Sequence, residues 1–325
     1  MRLGLGCAPI GNLYRAIDDD GAAATVDAAW DAGIRYFDTA PHYGLGLSER
    51  RLGAALRRRP RADYRVSTKV GRLLVPTPAA TGRDEDLFDV PATHRRIWDL
   101  TADGVRRSLD DSLDRLGLDR VDMVLIHEPE KHPADALDQA YPALHALRAE
   151  GVLSEIGIGT GDLEIACRFV TDTDLDVAMV AGRYSLLQQS ALGTLLPLCA
   201  ERDVAVLNAA VFNGGLLAED RPHAGLRYDY EKAPEALVAR ASAMAAVCER
   251  HGSTLPAAAL HFAGAHPAVR TTVVGAQGPH EVSRNAALAF GPPPPAALWA
   301  EMIEIGLLRR DAPLPDLGRP AGLLA

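Results

Sequence analysis

The sequence predicts a closed (β/α)8 barrel that occupies residues 1–325 as a single domain. Short β-rich runs alternate with helical runs eight times, the pattern of a parallel sheet with crossover helices. No Pro/Gly/Ser-rich linker divides the middle of the chain. No strand leads into a GxGxxG loop, and GLGLSER at Gly44–Arg50 does not fit that fingerprint and has no strand directly before it. A doubly wound dinucleotide fold is therefore the weaker choice. Eight strand–helix units in 325 residues suit one closed barrel.

The candidate strands are Leu3–Gly6, Ile34–Asp38, Arg65–Lys69, Met123–His127, Glu155–Gly159, Val177–Val180, Ala205–Asn208 and Thr271–Val274. Helical stretches lie between them. Gly21–Ala32 follows the acidic start Asp18, Asp19, Asp20 and stops at Gly33. Thr101 can cap a helix that runs to Gly117, with Val105, Leu109, Leu113 and Leu116 at helical spacing. Segments 71–100, 219–235 and 311–325 are too long for simple connections. The first two follow the third and seventh strands, on the barrel face that carries active sites, so they are placed to shape a substrate pocket.

Composition excludes several function classes. The formal net charge is −9, which gives no electrostatic reason to bind nucleic acid or anionic lipid. Hydrophobic residues make up 48% and charged residues 24%, as in an ordinary globular protein. The start, MRLGLGCAPIGN, lacks the pattern of a secretory signal, and no stretch approaches the ~18 consecutive apolar residues of a membrane span. Cys7, Cys167, Cys199 and Cys248 form no CxxC pair and read as free thiols of a reducing compartment. The expected location is the cytoplasm. The sequence leaves the oligomeric state open.

Chemistry concentrates at strand ends. Asp38 ends YFD, Lys69 ends STK and His127 ends VLIH, on three consecutive strands, and Tyr43 follows in the loop FDTAPHYG. Each has an ordinary explanation alone: a helix cap, a solvated lysine, a buried histidine, a loop aromatic. Barrel geometry, however, brings the ends of neighbouring strands to one pocket mouth. No cluster of carboxylates marks a metal isomerase; Asp38 is the only strand-end acid, with Glu128 and Glu130 just past the fourth strand. No metal is expected.

FDTAPHYG, STKVG and IHEP resemble the signatures of the aldo-keto reductase family, and the resemblance covers nearly the whole chain. It implies that Asp38, Tyr43, Lys69 and His127 form a catalytic tetrad for hydride transfer between a nicotinamide cofactor and a carbonyl or sugar hydroxyl. Elementary electrostatics fits those roles. A phenol with a pKa near 10 exchanges protons slowly at neutral pH. An ammonium ~4 Å away would favour the phenolate by about 4 kcal/mol at an effective dielectric of ~20, an upper value of about three pKa units. Tyr43 is thus expected to be the acid/base and Lys69 to lower its pKa. Asp38 would hold Lys69, and His127 would orient the substrate oxygen.

The same resemblance implies a cofactor lying across the barrel mouth. Gly159 and Thr160 stand where relatives carry a Ser-Asn pair, with only the Thr160 hydroxyl retained. Ala181 replaces a glutamine, and Asn208 replaces an aromatic that stacks on nicotinamide. Gly214 and Gly215, in NAAVFNGGLL, match a loop near the pyrophosphate. In VVGAQGPHEVSRNAA, after the eighth strand, Gly275 is an expected cofactor contact, Gln277, Gly278 and Glu281 occupy ribose-side positions, and Asn285 matches an adenine-contacting asparagine. An acid at 281 repels a 2′-phosphate and accepts from free ribose hydroxyls, so NAD is expected over NADP; Arg284, one turn on, counts against this. Many relatives begin with a bottom-closing hairpin, which is missing or very short here.

Within the family, LGCAPIGNLYRAI, APHYGLGLSERRLG, AGRY and AAVFNGG are similar to bacterial NAD-linked D-threo-aldose 1-dehydrogenases and pyridoxal 4-dehydrogenases. The implied reaction is oxidation of an aldose of L-fucose, D-arabinose or L-galactose type at C1 to a lactone. Pyridoxal oxidation or general aldehyde/ketone reduction are alternatives, and a cofactor-binding regulatory barrel without turnover is an alternative of another class. Tyr14, Trp98 and Phe212 are candidate pocket walls.

Overall fold

The computed structural model describes residues 2–77 and 81–315. Eight parallel strands form a closed barrel: β1 Leu3–Gly6, β2 Tyr36–Asp38, β3 Arg65–Val70, β4 Met123–His127, β5 Glu155–Thr160, β6 Val177–Ala181, β7 Ala205–Ala209 and β8 Val269–Gly275. Around the barrel each strand lies between its neighbours in sequence, and β8 closes on β1. The expected strands are all present, with ends displaced by at most two residues. The chain also divides into two compact units, residues 4–179 with 275–283, and residues 1–3, 180–274 and 284–325.

In the first unit the strand register sets the faces. Asp38 pairs with Ser67, Lys69 with Leu125, and His127 with Gly159. Side chains alternate along a strand, and parallel partners share a face, so Asp38, Ser67, Lys69, Leu125 and His127 all point the same way. The opposite face of β3 is anchored separately. Thr68 donates to the fully buried Glu49 at 2.7 Å, and Arg115 donates to the same carboxylate at 2.5 Å. Helix α1, Asp19–Asp31, is capped by Asp18, which accepts from the Gly21 amide at 2.7 Å. Helix α2 spans Leu47–Leu56. Helix α3, Ala102–Leu116, starts at the Thr101 cap and ends at Gly117 with φ 60°.

Segment 71–100 is not shapeless. Arg72–Pro76 and His94–Trp98 form an antiparallel hairpin in which Arg72 faces Trp98. Residues 87–89, between these two strands, fold back on the loop after β1. Tyr14 donates to the Leu87 carbonyl at 2.8 Å, Asp89 donates to the Asn12 carbonyl at 2.9 Å, and Leu13 bridges Phe88. Leu45, Leu74, Phe88 and Val90 form a small apolar core there, with Ala8, Leu13, Tyr43 and Leu47 against it.

In the second unit Tyr184, Phe262 and Trp299 are fully buried, with ring centroids 5.1 and 6.4 Å apart in succession. Segment 219–235 contains a two-residue-per-strand hairpin, Arg227–Tyr228 with Glu231–Lys232. Its turn residues Asp229 and Tyr230 have φ of 45° and 69°, the conformation a tight hairpin with right-handed twist requires. Arg240 donates to the Leu307 carbonyl at 2.6 Å, and Gln189 accepts from the Arg309 amide at 3.0 Å. Of the tail 311–325, residues 316–325 lie outside the described residues. All four cysteines are free thiols. Among the described residues no helix is long and apolar enough to cross a membrane, and no group of three or more His, Cys, Asp or Glu side chains could hold a metal ion.

Candidate active site

The ends of β2, β3 and β4 bring four side chains together. Lys69 Nζ donates to Asp38 Oδ2 at 2.7 Å and to the Thr39 carbonyl at 2.9 Å, and the pair is almost entirely buried. Ser67 donates to the other Asp38 oxygen at 2.7 Å. The Tyr43 ring lies above this pair, its centroid 4.6 Å from Lys69 Nζ. The Tyr43 and His127 rings meet edge to face, with centroids 5.8 Å apart and planes at 86°. His42 packs against both, and Phe88 lies 5.9 Å from the Tyr43 ring as a tilted wall. No described residue hydrogen-bonds the Tyr43 hydroxyl or the His127 ring nitrogens. Tyr43 is partly buried, whereas Asp38, Lys69 and His127 are buried.

The electrostatics depart from expectation at Tyr43. Its pKa is raised well above the ordinary value, not lowered. Burial, which strips water from a phenolate, is the main cause; the Asp38, Glu128 and Cys7 charges add to it, and Arg72 opposes it. The expected help from Lys69 fails for a geometric reason. Its ammonium is bonded to Asp38 at 2.7 Å and does not outweigh burial and the Asp38 charge at the phenol above.

His127 moves well below its ordinary value, first through burial and then through Arg72, Lys69 and His42. It is a neutral imidazole, able to donate one hydrogen bond without carrying charge. His42 is pushed down to about 2 by burial and by Arg72, Arg96 and Lys69. His261 and His266, in the second unit, are also lowered by burial.

This makes stability depend on pH. The folded protein keeps these imidazoles neutral while the unfolded chain protonates them below about pH 6.5, so the unfolded state binds more protons and stability falls with falling pH. Buried His127 alone contributes up to about 1.4 kcal/mol of loss per pH unit below ~6.5. Melting temperature measured from pH 8 to pH 5 should hold until near 6.5 and then drop. A flat profile down to pH 5 would contradict the neutral, buried imidazoles.

The rim of this site carries residues that sequence reasoning passed over. Arg72, the first residue of the hairpin, donates to Glu128 at 2.7 Å and lies 4.6 Å above the centroid of Trp98. Trp98 in turn packs on His132 at 5.1 Å. Glu128, the residue after His127, has a left-handed φ of 46°, uncommon for a residue with a Cβ. Arg72 carried a visible cue, a cation three residues beyond Lys69, but its partner lies 56 positions away. Of the expected walls, Trp98 is partly buried beside this ion pair, Tyr14 is 40% exposed with φ 65°, and Phe212, in the second unit, is partly buried.

The expected cofactor residues divide. Gly159 leaves room beside the lysine, since a Cβ there would lie 3.7 Å from Lys69 Cε. The Thr160 hydroxyl is not free to donate to a cofactor amide: its one proton goes to Glu130, and it accepts from the Asp162 amide at 2.9 Å. Asn208 is fully buried and donates to the Tyr184 and Ala263 carbonyls at 2.8 and 2.9 Å, so its amide fastens packed backbone and offers no surface to a cofactor. Gly214, with φ 71°, is explained by close packing, because a Cβ would stand 2.7 Å from the Arg227 carbonyl oxygen. The Gly215 amide is occupied by the Phe212 carbonyl at 3.1 Å. The Gly215 amide is therefore already committed within its own turn.

After β8 the picture is more open. Gly275 is exposed, and a Cβ at Gly278 would meet nothing within 4 Å. Gln277 does not project freely. Its side-chain nitrogen donates to the Leu13 and Arg15 carbonyls at 3.2 and 2.9 Å, and its oxygen accepts from Arg15. Its backbone amide donates to Glu281 Oε2 at 2.9 Å, so Glu281 caps the helix Pro279–Phe290 while remaining exposed. Arg284 is exposed and Asn285 partly buried on the same helix.

A family model described as the aldo/keto reductase family matches residues 2–292. The chain belongs to the aldo/keto reductase family. It is therefore an oxidoreductase of the kind that works with a nicotinamide cofactor. It is 50% identical to a D-threo-aldose 1-dehydrogenase of a Pseudomonas species over 310 residues, covering 94% of each chain. It is 36% identical to a pyridoxal 4-dehydrogenase of Microbacterium luteolum, again over 94% of each. Among solved structures, a holo-form aldo-keto reductase of Bacillus halodurans superposes with a TM-score of 0.75 at 24% identity, covering 94% of this chain and 91% of that one, a likeness of fold.

Proposed function

We propose that this oxidoreductase, acting as one domain, removes hydride from C1 of an aldose of the L-fucose, D-arabinose or L-galactose type, giving the lactone and reduced NAD. The observation that carries the reading is the buried Asp38–Lys69 pair beneath Tyr43, with His127 edge-on to the same phenol. The relative of half-identical sequence, a D-threo-aldose 1-dehydrogenase, supports the substrate class.

In this reading the cyclic hemiacetal enters with its C1 hydroxyl between Tyr43 and His127. Neutral His127 donates a hydrogen bond to that oxygen and orients it. The Tyr43 phenolate takes the hydroxyl proton as the C1–H bond breaks. The electron pair of the C1–O⁻ group becomes the lactone carbonyl, and the hydride leaves with its own pair. The hydride acceptor would be supplied by the nicotinamide ring of the bound cofactor. In the reverse direction the Tyr43 phenol, protonated at neutral pH, returns the proton. Asp38 and the Thr39 carbonyl fix Lys69 beneath the ring.

The residues after β8 fit a dinucleotide. The exposed Gly275 and the open Gly278 precede the start of a helix, where free amides favour phosphate. Glu281 stands in that first turn and favours free ribose hydroxyls over a 2′-phosphate. NAD is accordingly the preferred cofactor. Replacing Glu281→Arg should raise the kcat/KM ratio of NADP to NAD by about tenfold or more, the value of one charge-assisted hydrogen bond. An unchanged ratio would show that the ribose lies elsewhere.

The direct test is absorbance at 340 nm with NAD and NADP offered separately against L-fucose, D-arabinose, L-galactose and pyridoxal. Growth of signal with NAD and one of the sugars supports the reading. Turnover of pyridoxal alone favours the second reading, suggested by the 36% identical pyridoxal 4-dehydrogenase. Silence with all four, and with small aldehydes in reverse, overturns both.

A further inference from the structure

His42 packs against three rings of the candidate site. Its ring centroid lies 6.2 Å from that of Tyr43, 5.6 Å from that of His127 and 5.4 Å from that of Phe88, each time edge to face. The hairpin fixes it there. The His42 carbonyl accepts from Arg96 Nη2 at 3.1 Å, and Arg96 is held in turn by Asp84 at 2.7 Å and Asp86 at 2.8 Å. The proton transfer between Tyr43 and the substrate has no use for this imidazole.

Its two ring nitrogens differ. Nδ1 is buried and has no hydrogen-bond partner among the described residues. A proton there would make a buried donor with neither water nor acceptor, so the proton belongs on Nε2. The ring as a whole is only partly buried, and Nε2 is not one of the buried, unpartnered atoms. It is therefore the polar atom on the open side of the ring. Burial and the Arg72, Arg96 and Lys69 charges push the pKa of His42 down to about 2, so it keeps that single donor at any working pH.

The reacting oxygen lies between Tyr43 and His127 in the reading above, and His42 flanks both rings. The atoms of an aldose that come next to it are one carbon away, the C2 hydroxyl and the ring oxygen. Phe88, the third ring, offers no polar atom.

We propose that His42 is a specificity-determining residue whose Nε2–H donates a hydrogen bond to the hydroxyl on the carbon beside the reacting one, C2 of the aldose. A sugar lacking that hydroxyl would cover the donor and leave it unpaired, so the site rejects it. The inference rests on the aldose reading.

The test compares kcat/KM for each sugar with that for its 2-deoxy form: L-fucose against 2-deoxy-L-fucose, and D-arabinose against 2-deoxy-D-ribose. Wild type should prefer the hydroxyl-bearing sugar by about tenfold or more, the value of one such hydrogen bond. His42→Phe should bring that ratio close to one, chiefly by raising KM for the parent sugar. His42→Gln, which restores a donor, should recover part of it. Each variant is checked by its melt, and His42→Leu gives the same comparison with a smaller apolar side chain. A wild-type ratio near one overturns the proposal. So does a ratio that His42→Phe and His42→Leu leave unchanged, with both sugars slowed alike, since a packing role or a contact to the ring oxygen acts on the two equally. Absence of turnover of any aldose by wild type overturns instead the reading beneath it.

Discussion

Tyr43→Phe should lower turnover by roughly 10³-fold or more in both directions, at the upper end of what a positioned acid/base supplies. The substitution removes one oxygen and leaves the ring, so the packing against Phe88 at 5.9 Å and His127 at 5.8 Å survives. Binding of the reduced cofactor, followed by its fluorescence, should be unchanged, and so should the melt. Activity within tenfold of wild type would remove Tyr43 from the chemistry. The remaining groups could not take its place, because Lys69 is committed to Asp38 and His127 is held neutral by burial and neighbouring cations.

Lys69→Met should be costly in a second way. It leaves Asp38, 3% exposed, with a Ser67 donor and no cation. Breaking a buried pair from one side costs about 3–5 kcal/mol, because the surviving charge has lost both water and partner. A fall in melting temperature of roughly 5–10 °C is expected, together with loss of turnover. Adding Asp38→Asn should recover most of the stability and none of the activity, since an amide and a thioether need no charge balance. A single variant that melts like wild type would mean that water reaches Asp38.

Where a property is local, these residues are readable from sequence. The barrel strands are short β-rich runs bounded by turn residues, and all eight fall within two residues of the expected ends. Asp38, Lys69 and His127 are visible because each ends an apolar run, and the register then brings them to one face. Properties made by distant partners are not readable. The hairpin of Arg72–Pro76 and His94–Trp98 joins a short apolar run, RLLVP, to a basic one, HRRIW, across a turn-rich stretch, and neither alternates clearly enough to declare itself alone. The shift at Tyr43 depends first on how deeply the folded chain buries the phenol and then on the Asp38 charge, which no spacing reveals. Thr160 and Asn208 have the right chemical groups for a cofactor, but Glu130 and two backbone carbonyls take them first.

The wall beside Tyr43 is hung on main-chain bonds. Tyr14 to Leu87, Asp89 to Asn12 and the Leu13–Phe88 bridge depend on amides and carbonyls, not on side-chain identity. The frame of that wall can therefore stay in place while residues 87, 88 and 90 change. The proton-transfer groups sit on strands and their immediate loop, outside that panel. A lineage built this way can exchange one small molecule for another by altering a few side chains, without reopening the question of how the proton moves.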